Sequence, residues 1–142
     1  MTDAMKRLMM LLLVLMTGIQ GWAGNIAYGP WVTESRSDRV TICWISEVPG
    51  MAYVELSDGT QVWETFAGRR IFKRLHSVQI NGLEPGTELC YRVCGQDLTD
   101  DSNARNPRFG DIYEGQWQRV RTFDPEDETC RFSVFNDIHN QV

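Results

Sequence analysis

The sequence predicts an all-β protein built as an antiparallel sandwich. Three observations carry that expectation. Between Gly29 and Asp124 the apolar residues recur with period two rather than 3.6. Turn signals, Asp58-Gly59 and Glu84-Pro85-Gly86 among them, interrupt the pattern at short intervals. No stretch of the same region offers an amphipathic helix. Several short strands joined by turns over roughly 95 residues suit two packed antiparallel sheets.

The elements follow in order. In "DRVTICWIS" Val40, Ile42 and Trp44 share one face and Arg39, Thr41 and Cys43 the other, the pattern of a half-buried strand. "MAYVELSDGT" is a second strand closing on Asp58-Gly59, a favoured hairpin pair, and "QVWETFA" is its return. In "RLHSVQINGLEPGTELCYRVCG" Val78 and Ile80 alternate towards Leu83. A turn at Pro85-Gly86 follows, where proline presets one dihedral and glycine accepts a positive one. Leu89, Tyr91 and Val93 then form the next inward face. "GQWQRVRTF" supplies the last strand with Trp117, Val120 and Phe123 as its apolar residues, and the slip in phase between Trp117 and Val120 marks a bulge or a short strand. Residues 96–115 are polar and rich in Asp, Asn and Gly, and are expected to form a long functional or mobile loop.

The chain has 142 residues, is 42% apolar and 23% charged, and carries a net charge of −5 with the two signs interspersed. It has no basic patch to neutralise phosphates, so nucleic acid is not an expected partner. Lys6 and Arg7, the apolar stretch from Leu8 to Ile19, and Gly21-Trp22-Ala23 make the three parts of a secretory signal peptide, with cleavage after Ala23. The apolar stretch is short of the ~20 residues that span a bilayer, so the mature chain is expected to leave the membrane for the periplasm or the extracellular space. Residues 24–123 form the sandwich. A charged, proline-bearing linker follows at 124–130 and marks a domain boundary. In residues 131–135, "RFSVF", the apolar character is nearly continuous, as in a strand buried on both faces of an α/β sheet.

Export permits disulfides among Cys43, Cys90, Cys94 and Cys130. Cys90 and Cys94 lie about 13 Å apart along one strand, out of disulfide reach. Cys94 with Cys130 stays open as a pair, and free or half-buried thiols are the expected state. A strand also turns the two CxxxC sulfurs sideways rather than onto one zinc ion. His76 shares the face of Val78 and Ile80 and reads as a structural histidine at the sandwich edge. Asp97, Asp100, Asp101 and Asp111 match no calcium-loop spacing and read as solvated charges. At the C-terminal end of the last strand, Asp137 and His139 stand two residues apart and point to one side of an extended segment. A carboxylate oxygen and an imidazole nitrogen so placed can each reach one ion at about 2.1 Å.

Two groups of residues carry a resemblance. "GPWVTESRSDRVTICWIS", "VELSDG" and "HSVQINGLEPGTELCYRV" resemble the fibronectin type III-like N-terminal domain of purple acid phosphatases. "RFSVFNDIHN" resembles the first strand and D-x-H motif of the calcineurin-like metallophosphoesterase domain that follows it there. The resemblance implies a fibronectin type III/immunoglobulin-like sandwich at 24–123 and the start of a metallophosphoesterase domain at 131–142. It implies phosphate esters as substrates and a pair of metals (Fe, Zn or Mn), with Asp137 and His139 as ligands of the first. The sequence departs from that family's tyrosine corner, placing Leu89 where an inward tyrosine is common and Tyr91 two residues on. The family's GD, GNH and histidine-rich motifs do not follow. The resemblance therefore implies an N-terminal fragment of an exported metal-dependent phosphoesterase, inactive by itself. The alternative is a free-standing exported sandwich that binds protein or glycan, with Trp31, Trp63, Tyr113 and Trp117 as contact candidates.

Overall fold

A computed structural model of the chain describes residues 25–129 and Arg131. The described residues form nine strands and no helix: β1 (Ile26–Ser35), β2 (Arg39–Leu56), β3 (Gln61–Trp63), β4 (Thr65–Phe66), β5 (Arg69–Arg70), β6 (Lys73–Asn81), β7 (Glu88–Asp100), β8 (Arg108–Glu114) and β9 (Gln118–Arg121). Every pairing is antiparallel.

The architecture follows from β2. Its first half pairs with β1 on one side and β6 on the other; its second half pairs with β3 and β7. Strand β7 continues outward to β8 and β9. The result is one hydrogen-bonded sheet bent over on itself: β1, the first half of β2 and β6 face β3, the second half of β2, β7, β8 and β9. On either side of the bend the even-numbered residues of β2 face inward, so Val40, Ile42 and Trp44 of one layer meet Ala52 and Val54 of the other, while Val48 in the bend is exposed. Val78 and Ile80 from β6 and Tyr91 and Val93 from β7 complete the core. At about 1.5–3 kcal/mol for each large apolar side chain removed from water, these residues dominate the favourable terms in folding. The all-β, antiparallel sandwich expected from the sequence is the fold observed.

Four expectations are corrected. The two strands read at residues 38–46 and 51–60 are one, because the segment Glu47–Gly50 stays extended through the bend. Gly50 makes the crossing possible: a Cβ there would lie 2.3 Å from the Gln96 carbonyl oxygen. The return strand after Asp58-Gly59 is shorter than its apolar pattern, since only Gln61–Trp63 pairs with β2. Glu64 then turns its carboxylate inward, and Thr65–Phe66 leaves to form a small hairpin with Arg69–Arg70.

Residues 96–115 are not a long loop. β7 runs to Asp100 and β8 returns from Arg108, with Leu98 opposite Phe109 and Gln96 opposite Ile112. Polar composition concealed the ladder because its outward residues are solvated. In the last strand Val120 packs on the core, while Trp117 and Phe123 are exposed. The ladder breaks between Glu114 and Gln118, just before the slip read between Trp117 and Val120, where the structure shows a short regular strand.

The turn before β7 is held by a hydroxyl rather than by a tyrosine. The Thr122 hydroxyl donates to the Glu84 carbonyl at 2.8 Å and accepts the Thr87 N–H at 2.8 Å, while the Thr122 N–H donates to the Thr87 carbonyl. Tyr91 serves the core instead, its phenol pushed up by burial. Beyond Phe123 the charged segment forms a turn, with the Asp127 N–H donating to the Asp124 carbonyl at 3.1 Å. Arg121 pairs with both aspartates. Thr122 is 1% exposed, and Thr122→Val leaves the part-buried Thr87 N–H and Glu84 carbonyl without their hydroxyl partner. It should cost about 0.5–1.5 kcal/mol in urea unfolding, with the slope m unchanged.

Candidate functional site

His76 is the centre of the largest buried polar cluster. It sits on the inward face of β6, in phase with Val78 and Ile80, and is fully buried. Its Nδ1 donates to Glu64 Oε2 at 2.9 Å, and its Nε2 lies 3.1 Å from Ser46 Oγ. The ring stands 5.0 Å from that of Trp44. Glu64 Oε1 accepts from Lys73 Nζ at 2.8 Å and from the Ser77 N–H at 2.8 Å. Burial works against the Glu64 charge, yet the donors of His76, Lys73 and Ser77 outweigh it and hold the carboxyl below its usual range.

Serine, histidine and carboxylate at these spacings have the order of an activated nucleophile. The surroundings assign them a different role. Ser46 and His76 are both 0% exposed, so a substrate has no approach. The Ser46 hydroxyl lies 2.6 Å from the Val48 carbonyl, to which it donates, and the Ser46 carbonyl accepts from Arg74 Nε at 3.2 Å. The cluster ties β2, the segment after β3, and β6 together. The structural role read for His76 holds. Glu64 and Ser46 were missed, although both lie in phase with inward apolar residues, Val62 and Trp44 respectively.

A second feature is open to solvent. A groove of about 400 Å³ runs between the first half of β1 and the break separating β8 from β9. Ile26, Ala27, Tyr28, Gly29 and Pro30 line one side; Gly115, Gln116 and Gln118 line the other. All of these are uncharged. Gly115 lies on the floor, where a Cβ would come 3.0 Å from the Val93 carbonyl oxygen and 3.1 Å from Ile26 Cδ1. Tyr28 stands at the rim, 69% exposed.

The aromatic contact candidates part company. Tyr113 is buried, accepts the Trp44 indole N–H at 3.4 Å, and has its phenol pushed up to about 12, chiefly by burial. Trp63 is half-buried between Tyr53, 4.4 Å away, and the Arg70 guanidinium, 3.6 Å above its ring. Trp117 is exposed but lies under Arg92, 4.9 Å off. Trp31 is 37% exposed, and its ring stands where a Cβ on Gly29 would fall.

Cys43, Cys90 and Cys94 are free thiols, and burial raises the Cys94 thiol to about 11, which suppresses its reactivity. The loop aspartates do not converge: Asp97 accepts from Asn25 at 2.5 Å, and Asp100 accepts the Ser102 N–H at 2.9 Å. Among the described residues no group of three or more His, Cys, Asp or Glu is placed to hold a metal ion. Nor is any helix among them long and apolar enough to cross a membrane. Asp137, His139 and the signal-peptide segment lie outside the described residues.

No protein-family model matches the chain, and no curated protein does. Among solved structures it is similar to the solution structure of the fibronectin type III domain of human fibronectin type III domain containing protein 3. The identity is 13% over 79% of this chain and 98% of that chain, with a TM-score of 0.42. Likeness at that level adds nothing to the strand pairing described above.

The depressed Glu64 carboxyl links stability to pH. Its contribution is complete above the unfolded carboxyl range near pH 4.5 and is lost as pH falls through the lower folded value. Glu64→Gln should cost about 1–3 kcal/mol at neutral pH. Thermal melts from pH 7 to pH 3 should show a smaller acid loss in the variant than in the parent.

Proposed function

We propose that the sandwich is a non-catalytic binding module of an exported protein. One observation carries the reading: the groove between β1 and the β8–β9 break is open and uncharged, whereas the one serine–histidine–carboxylate arrangement among the described residues, Ser46, His76 and Glu64, is sealed inside the domain. Catalysis needs a titratable group within hydrogen-bond reach of its substrate. Ser46, His76 and Glu64 meet the spacing and fail the access. A binding site needs concavity, apolar surface and a few polar groups to fix orientation. The groove supplies these through Ile26, Pro30, Tyr28 and the two glutamine amides.

A second reading is favoured by the order of segments: signal peptide, sandwich, charged linker, apolar strand, Asp137-Ile138-His139. In that reading the sandwich is the accessory domain of a metal-dependent phosphoesterase acting on phosphate esters. Asp137 and His139 would help hold a metal pair of Fe, Zn or Mn. Bound metals of that kind polarise a phosphoryl oxygen and lower the pKa of bound water. Both readings share export with cleavage after Ala23.

Two measurements test these proposals. The purified, processed chain should not hydrolyse p-nitrophenyl phosphate in the presence of added Mn, Zn or Fe. Turnover abolished by Asp137→Asn would overturn the non-catalytic reading, and with it the expectation that the phosphoesterase segment is inactive by itself. N-terminal sequencing of the exported protein should begin at Gly24, and an unprocessed Met1 in the exported fraction would remove the shared premise.

A further inference from the structure

We infer that the hairpin of β4 and β5 is a membrane-surface contact: it seats Phe66 in the interface of an anionic phospholipid bilayer and sets Arg69, Arg70 and Arg74 against the lipid phosphates. This surface shares no residue with the groove described above.

The first observation is charge. Residues 69–74, "RRIFKR", hold Arg69, Arg70, Lys73 and Arg74 and no acid. The overall balance of −5 conceals this local basic cluster. Lys73 is spent on Glu64 at 2.8 Å. Arg36, Arg39, Arg92, Arg119 and Arg121 likewise have carboxylate partners. Arg70 instead lies 3.6 Å above the Trp63 ring, and Arg74 Nε donates to the neutral Ser46 carbonyl at 3.2 Å. Both contacts leave the positive charge uncompensated, and Arg69 makes no ion pair among the described residues. Fields between exposed charges decay over about 8 Å at physiological ionic strength. A surface that meets the hairpin therefore meets these cations rather than the net charge of the chain.

The second observation is apolar exposure beside those cations. Phe66 is 75% exposed, more than any other large apolar side chain of the described residues. It pairs with Arg69 across the hairpin, as Thr65 does with Arg70. Residues directly opposite share a face, so Phe66 and Arg69 point one way while Arg70 covers Trp63. Phe72 and Leu75, both exposed, bracket Lys73 and Arg74. Cations gain from anionic headgroups and aromatic rings from the acyl boundary, so a bilayer surface serves both sets of residues at once.

The third is shape. Ala67 and Gly68 both have positive φ, 50° and 75°, the two-residue turn that suits the strand twist of a hairpin. Residues 65–70 are all exposed, β4 and β5 pair only with each other, and a Cβ on Gly68 would meet nothing within 4 Å. The tip is convex, yet its base is fixed. The Glu64 N–H donates to the Ala52 carbonyl at 2.9 Å, Lys73 closes on the Glu64 carboxylate, and Trp63 stands 4.4 Å from Tyr53. A fixed convex tip suits a deformable interface. A sulfated glycan supplies anions but nothing apolar to receive Phe66, and a rigid acidic protein would need a pocket cut to the tip.

The test sediments the purified, processed chain with vesicles of phosphatidylcholine alone, or of phosphatidylcholine and phosphatidylglycerol in equal parts. Binding should be confined to the anionic vesicles and should fall about tenfold or more from about 0.1 to about 0.5 M salt. Phe66→Ser and Arg69→Glu should each weaken it about fivefold or more. Both sites are exposed, so the melting temperatures of these variants should match the parent's. Phe66→Trp should keep the binding, and brominated phosphatidylcholine in the anionic vesicles should quench its fluorescence more than the parent's.

Equal sedimentation with neutral vesicles, or unchanged binding by both weakening variants, overturns the inference. Absence of the added quenching overturns the seating of Phe66 in the interface. Retention on immobilised heparin without vesicle binding overturns the lipid partner in favour of a sulfated glycan, and no binding to either overturns the contact altogether.

Discussion

Strand β2 is the constraint on which the rest depends. It belongs to both layers, so every other pairing in the sandwich is made with it or with β7, which it pairs. Its inward residues keep one parity from Val40 to Val54, and the bend at Glu47–Gly50 turns that single face into the two walls of the core. The crossing is tight, with the Gln96 carbonyl against Gly50. A side chain there would push β7 away from β2 and separate the ladder that joins the layers. Core packing and sheet continuity are thus one requirement in this domain.

The polar cluster around His76 answers a problem that this layout creates. Strand β6 lies at the edge of its layer and pairs with β2 alone among the long strands. An unpaired edge invites unwanted strand pairing and leaves N–H groups bare. Glu64 reaches that edge and accepts the Ser77 N–H, while its other oxygen holds His76 against Trp44. A buried carboxylate is costly to desolvate, and removing one partner of such a pair costs more than the pair returns. Complete donor coverage of Glu64 makes the arrangement tolerable. The Trp44 to Tyr113 hydrogen bond then carries the connection across to β8 in the opposite layer.

Ser46, Glu64 and His76 are sealed in by the same packing that leaves the seam between β1 and β9 open. The break at Gly115–Trp117 serves β9 first: it resets the phase so that Val120 can face the core. The groove is a consequence of that reset, and its neutrality reflects where the charges have gone. Arg92, Glu55 and Glu114 are paired on the outer face, and Arg121, Asp124 and Asp127 are paired beyond the last strand.

Much of the fold was legible from residue order. Period-two alternation in Val40-Ile42-Trp44, Val78-Ile80 and Leu89-Tyr91-Val93 identified inward faces because a pleated strand sends every second side chain to the same side. Turns at Asp58-Gly59 and Pro85-Gly86 followed from local dihedral preferences. The slip between Trp117 and Val120 marked a short last strand, and the break that bounds the groove lies just before it. The sequence also set the inward parity of His76, which decided that it is structural. What it could not express is which distant residues meet. Ser46, Glu64 and His76 converge only because β2 bends and β6 returns beside it. Ile26 and Gly115 define a groove only because β1 and β8 close opposite edges of the sandwich. The solvated hairpin at 96–115 hid in polar composition because a ladder is made by main-chain groups common to all residues. Alternation is a local signal and survives in the sequence; convergence depends on the path of the chain in space, and here the tertiary structure alone decided it.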